Sequence, residues 1–290
     1  MPNTKVVVVV RHGERLDYTM RERGENWIST TNRPWDPPLT ENGKQQASAL
    51  GMALPSMLKT LNLPSIAAVY SSPFHRCRQT AAGLCASDEM LKVQVELGLA
   101  ESLNQNWFRS WSIEGTDGTW GYGKKECPDA NDLDPSKLNP LSKVPVQPLL
   151  DWKQGALEEE LKKKMDIDYE SKSSIETPYS LRPPLFENYK TQQKRMHATL
   201  EQLSELHNNE TILLVSHGGP VTHLYESLTG NTWDRHGVAR YCCYSIYQQE
   251  EGDDKWKPLV VNRILGEEEE ETKPTDEDAT SSPPKDFTWA

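Results

Sequence analysis

Five consecutive valines, Val6–Val10, run straight into Arg11-His12-Gly13-Glu14-Arg15. A β-branched run with no polar interruption fits a strand buried on both faces, which belongs in the middle of a parallel sheet covered by helices on either side. Open sheets of that kind bind their ligands at the carboxyl ends of the strands. A histidine flanked by arginines at such an end reads as a nucleophile beside an anion, and Gly13 lets the backbone come close to a bound group. The competing reading is a polar turn that happens to contain a histidine.

The same design returns twice. Ile66–Tyr70 reads as a strand leading through Ser71-Ser72-Pro73 into a helix from Phe74 to about Ala86, and Ile212–Val215 leads through Ser216-His217-Gly218-Gly219-Pro220 into a helix to about Leu228. Thr40 is the expected N-cap of a helix to about Lys59, with Ala47, Leu50, Leu54 and Leu58 at helical spacing and Pro55 expected to kink or shorten it. Val93–Leu97 is a third strand, Glu187–His207 a helix, and Tyr241–Tyr247 with Leu259–Val261 complete the sheet. Leu16–Pro38 is read as a long loop. Asn104–Pro184 breaks the rhythm with its Gly, Pro, Asp and four tryptophans, Trp107, Trp111, Trp120 and Trp152. Its clear helix is Ala156–Met165, with Glu158/Lys162, Glu159/Lys163 and Glu160/Lys164 as i,i+4 pairs. So long a stretch between elements suggests a functional cap. The expected organisation is one domain over 1–266, with a cap inserted at about 104–184, and an acidic tail over 267–290 with the composition of disorder.

Of the net charge of −11, −7 lies in 267–290, where nine acidic residues face two lysines, so the body carries only about −4. No basic stripe suggests nucleic acid, and no apolar run approaches the roughly 20 residues that span a bilayer. The amino terminus has no secretory pattern. Five cysteines, an odd number without Cys-x-x-Cys or metal-type spacing, fit reduced thiols in a cytoplasmic protein.

The three strand ends offer Arg11, His12 and Arg15, then Arg76, then His217. Helix amino ends add N–H donors and a positive dipole suited to a dianion, and the planar arginine fork meets phosphate oxygens two at a time. Three arginines in one pocket would repel each other without an anion, so their convergence would itself point to phosphate. Neutral His12 could then attack phosphorus and become a phosphohistidine, with His217 donating to the equatorial oxygens. The leaving oxygen needs a proton, hence a carboxylic acid nearby whose pKa is raised by burial or by the substrate's own charge.

Val10-Arg11-His12-Gly13-Glu14-Arg15, Ser71-Ser72-Pro73 with Arg76-Cys77 and Gln79-Thr80-Ala81, and Val215-Ser216-His217-Gly218 together resemble the histidine phosphatase superfamily, the phosphoglycerate mutase-like fold. The resemblance implies a three-layer α/β/α sandwich with a mostly parallel central sheet and an inserted cap. It maps the phosphoryl acceptor onto His12, the flanking arginines onto Arg11 and Arg15, the middle arginine onto Arg76 and the second histidine onto His217, and it implies no metal and no cofactor. Gly218, where another branch of the family has its donor aspartate, points to the mutase-like branch. There the donor glutamate follows the third strand, at Glu96 or Glu101. Glu101 closes a Glu-x-Gly-x-x-Glu stretch as in similar sequences, whereas Glu96 on its own reads as a solvated strand residue.

Arg15 with Asp36-Pro37-Pro38-Leu39-Thr40 and Gly43 resembles the ubiquitin-associated, SH3-containing phosphatases and the steroid-phosphate phosphatases, here as a stand-alone catalytic domain. The usual mutase continuation after Arg-His-Gly-Glu is missing, which favours hydrolysis over transfer. The alternatives are a non-catalytic module that recognises phosphorylated partners and a phosphoglycerate-type mutase. The expected substrate is a phosphorylated small molecule or a phosphotyrosine-type ester, and assembly as a homodimer stays open. His75 is expected as an exposed helix-start residue, Cys77 and His223 as packing residues. The cap tryptophans serve either to stack a leaving group or to form the cap's own core, and Arg109 and Arg182 are possible helpers from the cap.

Overall fold

The computed structural model of the chain describes residues 4–31, 36–101, 158–173, 189–253 and 255–267. Among these, β1 (Thr4–Arg11), β2 (Ile66–Ser71), β3 (Val93–Val95), β4 (Thr211–Ser216), β5 (Tyr244–Glu250) and β6 (Lys257–Arg263) form one sheet in the order β3-β2-β4-β1-β5-β6. β3, β2, β4 and β1 are mutually parallel, and β5 and β6 extend the sheet antiparallel beyond β1. The helices are α1 (Leu16–Glu22), α2 (Glu41–Thr60), α3 (His75–Leu84), α4 (Glu159–Lys164), α5 (Tyr189–Ser204) and α6 (Gly218–Thr229).

Strand alternation explains the valine run. Val6, Val8 and Val10 pack on one face against Leu50 and Leu54 of α2 and Ala81 of α3. Val7 and Val9 pack on the other against Met196 and Leu200 of α5 and Leu224 of α6. All five are at most 2% exposed, and each such burial contributes about 1.5–3 kcal/mol. The result is the expected three-layer α/β/α sandwich. β4, the last parallel strand in sequence, inserts between β2 and β1. α2 follows β1 onto one face and α6 follows β4 onto the other, so the connections diverge at the carboxyl ends of β1 and β4. That is where an open sheet leaves a crevice.

Several expectations need correction. Leu16–Pro38 is not all loop: it holds α1 and a 3-10 turn at Trp27–Thr30. In the short α1 the buried residue is the charged Asp17, so no apolar stripe announced it. Thr40 does cap α2, accepting from the Gly43 N–H, but Pro55 neither ends nor shortens the helix, which runs on to Thr60. Pro55 lies on the exposed side, while burial of Leu54 and Leu58 carries the helix through it. β3 stops at Val95, because Glu96 caps a 3-10 turn over Leu97–Leu99. The segment Tyr241–Cys243 precedes β5 as a turn and is not part of the strand. On α4 the ion pairs are i,i+3, Lys162 to Glu159 and Lys163 to Glu160, where i,i+4 pairs were expected. Most of the cap insertion and the tail from residue 268 lie outside the described residues, and with them Arg109, Arg182 and the four cap tryptophans. No helix among the described residues is long and apolar enough to cross a membrane.

Candidate active site

Strand register brings the three charged turns together. Arg11 stands opposite Ser216 across β1 and β4, and His12 donates its backbone N–H to the Ser216 carbonyl at 2.9 Å. Ser72, just past β2, donates its own N–H to the Val215 carbonyl at 2.9 Å. The rings of His12 and His217 consequently meet edge to face with centroids 5.3 Å apart. Arg76, in the first turn of α3, reaches the same point, its Nη2 3.0 Å from His217 Nδ1.

His12 lies 2.8 Å through Nδ1 from the Gly13 carbonyl. A carbonyl only accepts, so Nδ1 carries the proton and Nε2 the lone pair. Burial first, then the charges of Arg76, Arg11 and Arg15, hold its pKa well below 6.5, so the ring is neutral. A Cβ on Gly13 would stand 2.6 Å from the Gly43 carbonyl oxygen, so this close approach of the loop to the start of α2 requires glycine. Glu14 ties the same junction, accepting from Thr40 Oγ1 at 2.6 Å and Asn42 Nδ2 at 3.1 Å.

The arginines are not equivalent. Arg11 donates through Nη1 to the Ala239 carbonyl at 2.7 Å, and its guanidinium lies 4.3 Å over the Tyr241 ring. Arg15 donates from Nε and Nη2 to the two carboxylate oxygens of buried Asp17 at 2.9 and 2.6 Å. Burial alone would lower the Arg15 pKa, but Asp17 overrides it and holds the guanidinium above its ordinary value. Arg76 is lowered, chiefly by burial and then by Arg15. Asp17 thus offsets one of the three cations, and the repulsion expected of the cluster is smaller than three bare arginines would give.

His217 is also held neutral, by burial first and then by Arg76 and His12. A guanidinium only donates, so Nδ1 accepts from Arg76, and the Nε2–H is given to Ser72 Oγ at 2.8 Å. In this arrangement His217 presents an acceptor at Nδ1, where the sequence reading had a donor to phosphate. Ser72 both donates and accepts, so the opposite tautomer can form when an anion draws Arg76 away.

Glu101 and Glu96 part company here. Glu101 Oε2 is 3.6 Å from His217 Nδ1. Glu96, expected in solvent, is fully buried. It accepts from Tyr169 Oη at 3.0 Å and from the backbone N–H groups of Lys172 (2.8 Å), Ser173 (3.1 Å) and Gly98 (3.3 Å), as well as from the Ser171 and Ser173 hydroxyls. It is a staple between the end of β3 and the described part of the insertion at Tyr169–Ser173. Glu96→Ala is expected to cost about 2–4 kcal/mol by leaving these donors unmatched, with Glu96→Gln milder, both read from urea unfolding.

His75 begins α3, partly buried, with its N–H donated to Asp36 Oδ1 at 2.6 Å. Cys77 is a buried packing residue whose thiol burial pushes up to about 12, which makes it inert. His223 is buried beside Glu226. Asp17 and Tyr241 were missed in the sequence. The spacing Arg15-x-Asp17 was a usable signal, whereas nothing local marks Tyr241, which reaches His12 (centroids 5.7 Å apart) only through the fold. Among the described residues no three His, Cys, Asp or Glu side chains are gathered to hold a metal.

A family model for the histidine phosphatase superfamily (branch 1) matches residues 7–114 and 143–263. No curated protein matches the sequence. Among solved structures, the ecdysone phosphate phosphatase from Bombix mori in complex with tungstate aligns with a TM-score of 0.51 at 18% identity, over 98% of this chain and 98% of that one. Mycobacterial hydrolase 1 aligns with a TM-score of 0.51 at 17% identity over 90% and 99%, and phosphoglycerate mutase from Bacillus anthracis with 0.50 at 17% over 91% and 95%. At such identities these likenesses show a shared fold. With the family model covering both ends of the sheet and all three charged turns, the chain belongs to the histidine phosphatase superfamily.

Proposed function

We propose that the protein hydrolyses phosphomonoesters through a covalent phosphohistidine on His12, with no metal taking part. The observation that supports this most is the meeting of a neutral His12, its proton held on Nδ1 by the Gly13 carbonyl, with Arg11, Arg76 and His217 at adjacent strand ends. A phosphoryl dianion would lie among Arg11, Arg76, the Nη1 of Arg15 and the amino end of α6, where N–H groups and the helix dipole favour negative charge. His12 Nε2 attacks phosphorus in line while the bond to the ester oxygen breaks, and protonated Glu101 gives its proton to that oxygen. Glu101 then takes a proton from the water that attacks the phosphohistidine, so His12 is restored and inorganic phosphate leaves. His217, in its Nδ1–H tautomer with Ser72 donating to Nε2, meets an equatorial oxygen. Uncatalysed hydrolysis of such esters is so slow that up to ~10²¹-fold help is needed, and charge neutralisation by these cations is the largest source.

Hydrolysis is favoured over transfer because the usual mutase continuation after Arg-His-Gly-Glu is missing, Arg15 following Glu14 in its place. The substrates to assay are phosphotyrosine, small metabolite esters and, given the name of the silkworm structure, steroid phosphates. Free thiols at Cys77, Cys85, Cys242 and Cys243 support a cytoplasmic location. The test is stereochemical. Two successive in-line displacements return phosphorus to its starting configuration, so an isotopically chiral phosphomonoester should transfer its phosphoryl group to an alcohol acceptor with net retention. Net inversion would mean direct attack by the acceptor and would end the covalent reading. Exchange between phosphoglycerates outpacing phosphate release would make the protein a mutase.

A further inference from the structure

The loop that carries Glu101 is held from outside the site by a residue with no part in the chemistry just described. Arg195, on α5, donates from Nη1 to the carbonyls of Gly98 (2.6 Å) and Ala100 (3.0 Å) and from Nη2 to the carbonyl of Glu101 itself (3.4 Å). The 3-10 turn at Leu97–Leu99 is too short to satisfy its own trailing carbonyls, and the guanidinium supplies charge-assisted donors in their place. On the far side of the turn the Leu99 carbonyl accepts from Ser216 Oγ at 2.7 Å, one residue before His217. The Glu101 backbone is thereby clamped between α5 and the end of β4, and its carboxylate comes to lie 3.6 Å from His217.

We infer that Arg195 is a positioning residue for the proton donor, fixing the distance from the Glu101 carboxyl to the leaving oxygen. This rests on the reading of Glu101 as the acid. Arginine suits this place because its rigid planar fork donates from two nitrogens 2.6–3.4 Å from the three carbonyls, whereas a lysine ammonium is a single point on a flexible stem and fixes the turn less firmly. A displacement of about 1 Å in a catalytic group can cost on the order of 10²-fold. The loss should fall where the acid matters: an alkoxide cannot leave without a proton, whereas p-nitrophenolate can.

The full chain and its Arg195→Met, Arg195→Lys and Glu101→Gln variants would be assayed on p-nitrophenyl phosphate and on glycerol 2-phosphate. Thermal melts would be run alongside. General acid catalysis contributes roughly 10²–10⁴-fold. Arg195→Met should therefore lose about 30-fold or more in kcat/KM, which reads the step that releases the leaving group and not the later attack of water, on the alkyl ester and at most about 3-fold on the nitrophenyl ester, with Arg195→Lys between it and the unaltered protein. Glu101→Gln should show the same selectivity in larger measure. Equal losses on both esters in Arg195→Met, with Glu101→Gln selective, would overturn the positioning role and leave the acid assignment standing. A Glu101→Gln variant with no such selectivity would overturn the acid assignment, and the inference with it. Should Arg195→Met fail to fold, the ratio in Arg195→Lys decides: a ratio equal to that of the unaltered protein counts against the inference.

Discussion

His12→Ala is expected to reduce turnover of p-nitrophenyl phosphate by about 10⁴-fold or more, because the proposed intermediate, whose two easier steps replace one difficult one, forms on this ring. Among the described residues the side chain makes one hydrogen bond, to the Gly13 carbonyl, and its loss leaves a single buried acceptor unmatched, at about 1–3 kcal/mol. The sheet is held by strands packed on both faces, so circular dichroism and a cooperative melt should still report a folded protein. Arg11, Arg76 and His217 remain in the variant, and inorganic phosphate should bind within a few-fold of the original affinity by calorimetry. Binding retained with turnover lost is the signature of a nucleophile. Turnover within 100-fold of the original in a pure, folded variant would remove His12 from that role. Loss of both properties together would place His12 in the phosphate site without marking it as the nucleophile, and the stereochemical course would then test the covalent step.

Stability should fall steeply in mild acid. His12 and His217 are both held neutral in the folded protein, their pKa values well below 6.5 through burial and then neighbouring positive charge. The unfolded chain takes up two protons around pH 6.5 that the native site refuses, so the unfolded state binds more protons and stability declines as pH falls. The contribution is fully present above about pH 7 and is lost from 6.5 downward until the folded-state values are reached. Each group gives a limiting slope of about 1.4 kcal/mol per pH unit for as long as it stays neutral in the folded protein, and the two slopes add. His223 and His236, lowered chiefly by burial, add in the same direction. Urea unfolding across this range should show the slope, His12→Ala should remove about half of the pair's share, and saturating phosphate should flatten it by supplying the missing negative charge. A flat profile between pH 7 and 5.5 would mean that both rings are already protonated in the native state, and half the slope that one of them is.

Legibility in the sequence followed a physical divide. The valine run, the capped α2 and the strand–turn–helix units around Ser72 and His217 are local: period, cap and turn chemistry sit within a dozen residues, and the fold left them where they were read. Where the sequence misled, the deciding contact was distant. α1 buries a charge and has no apolar stripe. Glu96 reads as solvated until the chain returns some seventy-five residues later to surround it with donors. Pro55 was expected to kink or shorten α2, but the buried face beside it carries the helix on to Thr60.

The residue types of the site were determined by the sequence alone: an imidazole after a buried strand, arginines that cannot lose their charge, a second histidine at a helix start. Tertiary structure alone decided their electrical state and aim. Register between β1 and β4 sets the rings 5.3 Å apart, Asp17 neutralises one arginine, and Arg195 and Ser216 fix the Glu101 loop. Composition can name a charge, but burial and the partners that long-range packing delivers set its worth, since both Coulomb energy and desolvation depend on the surrounding medium.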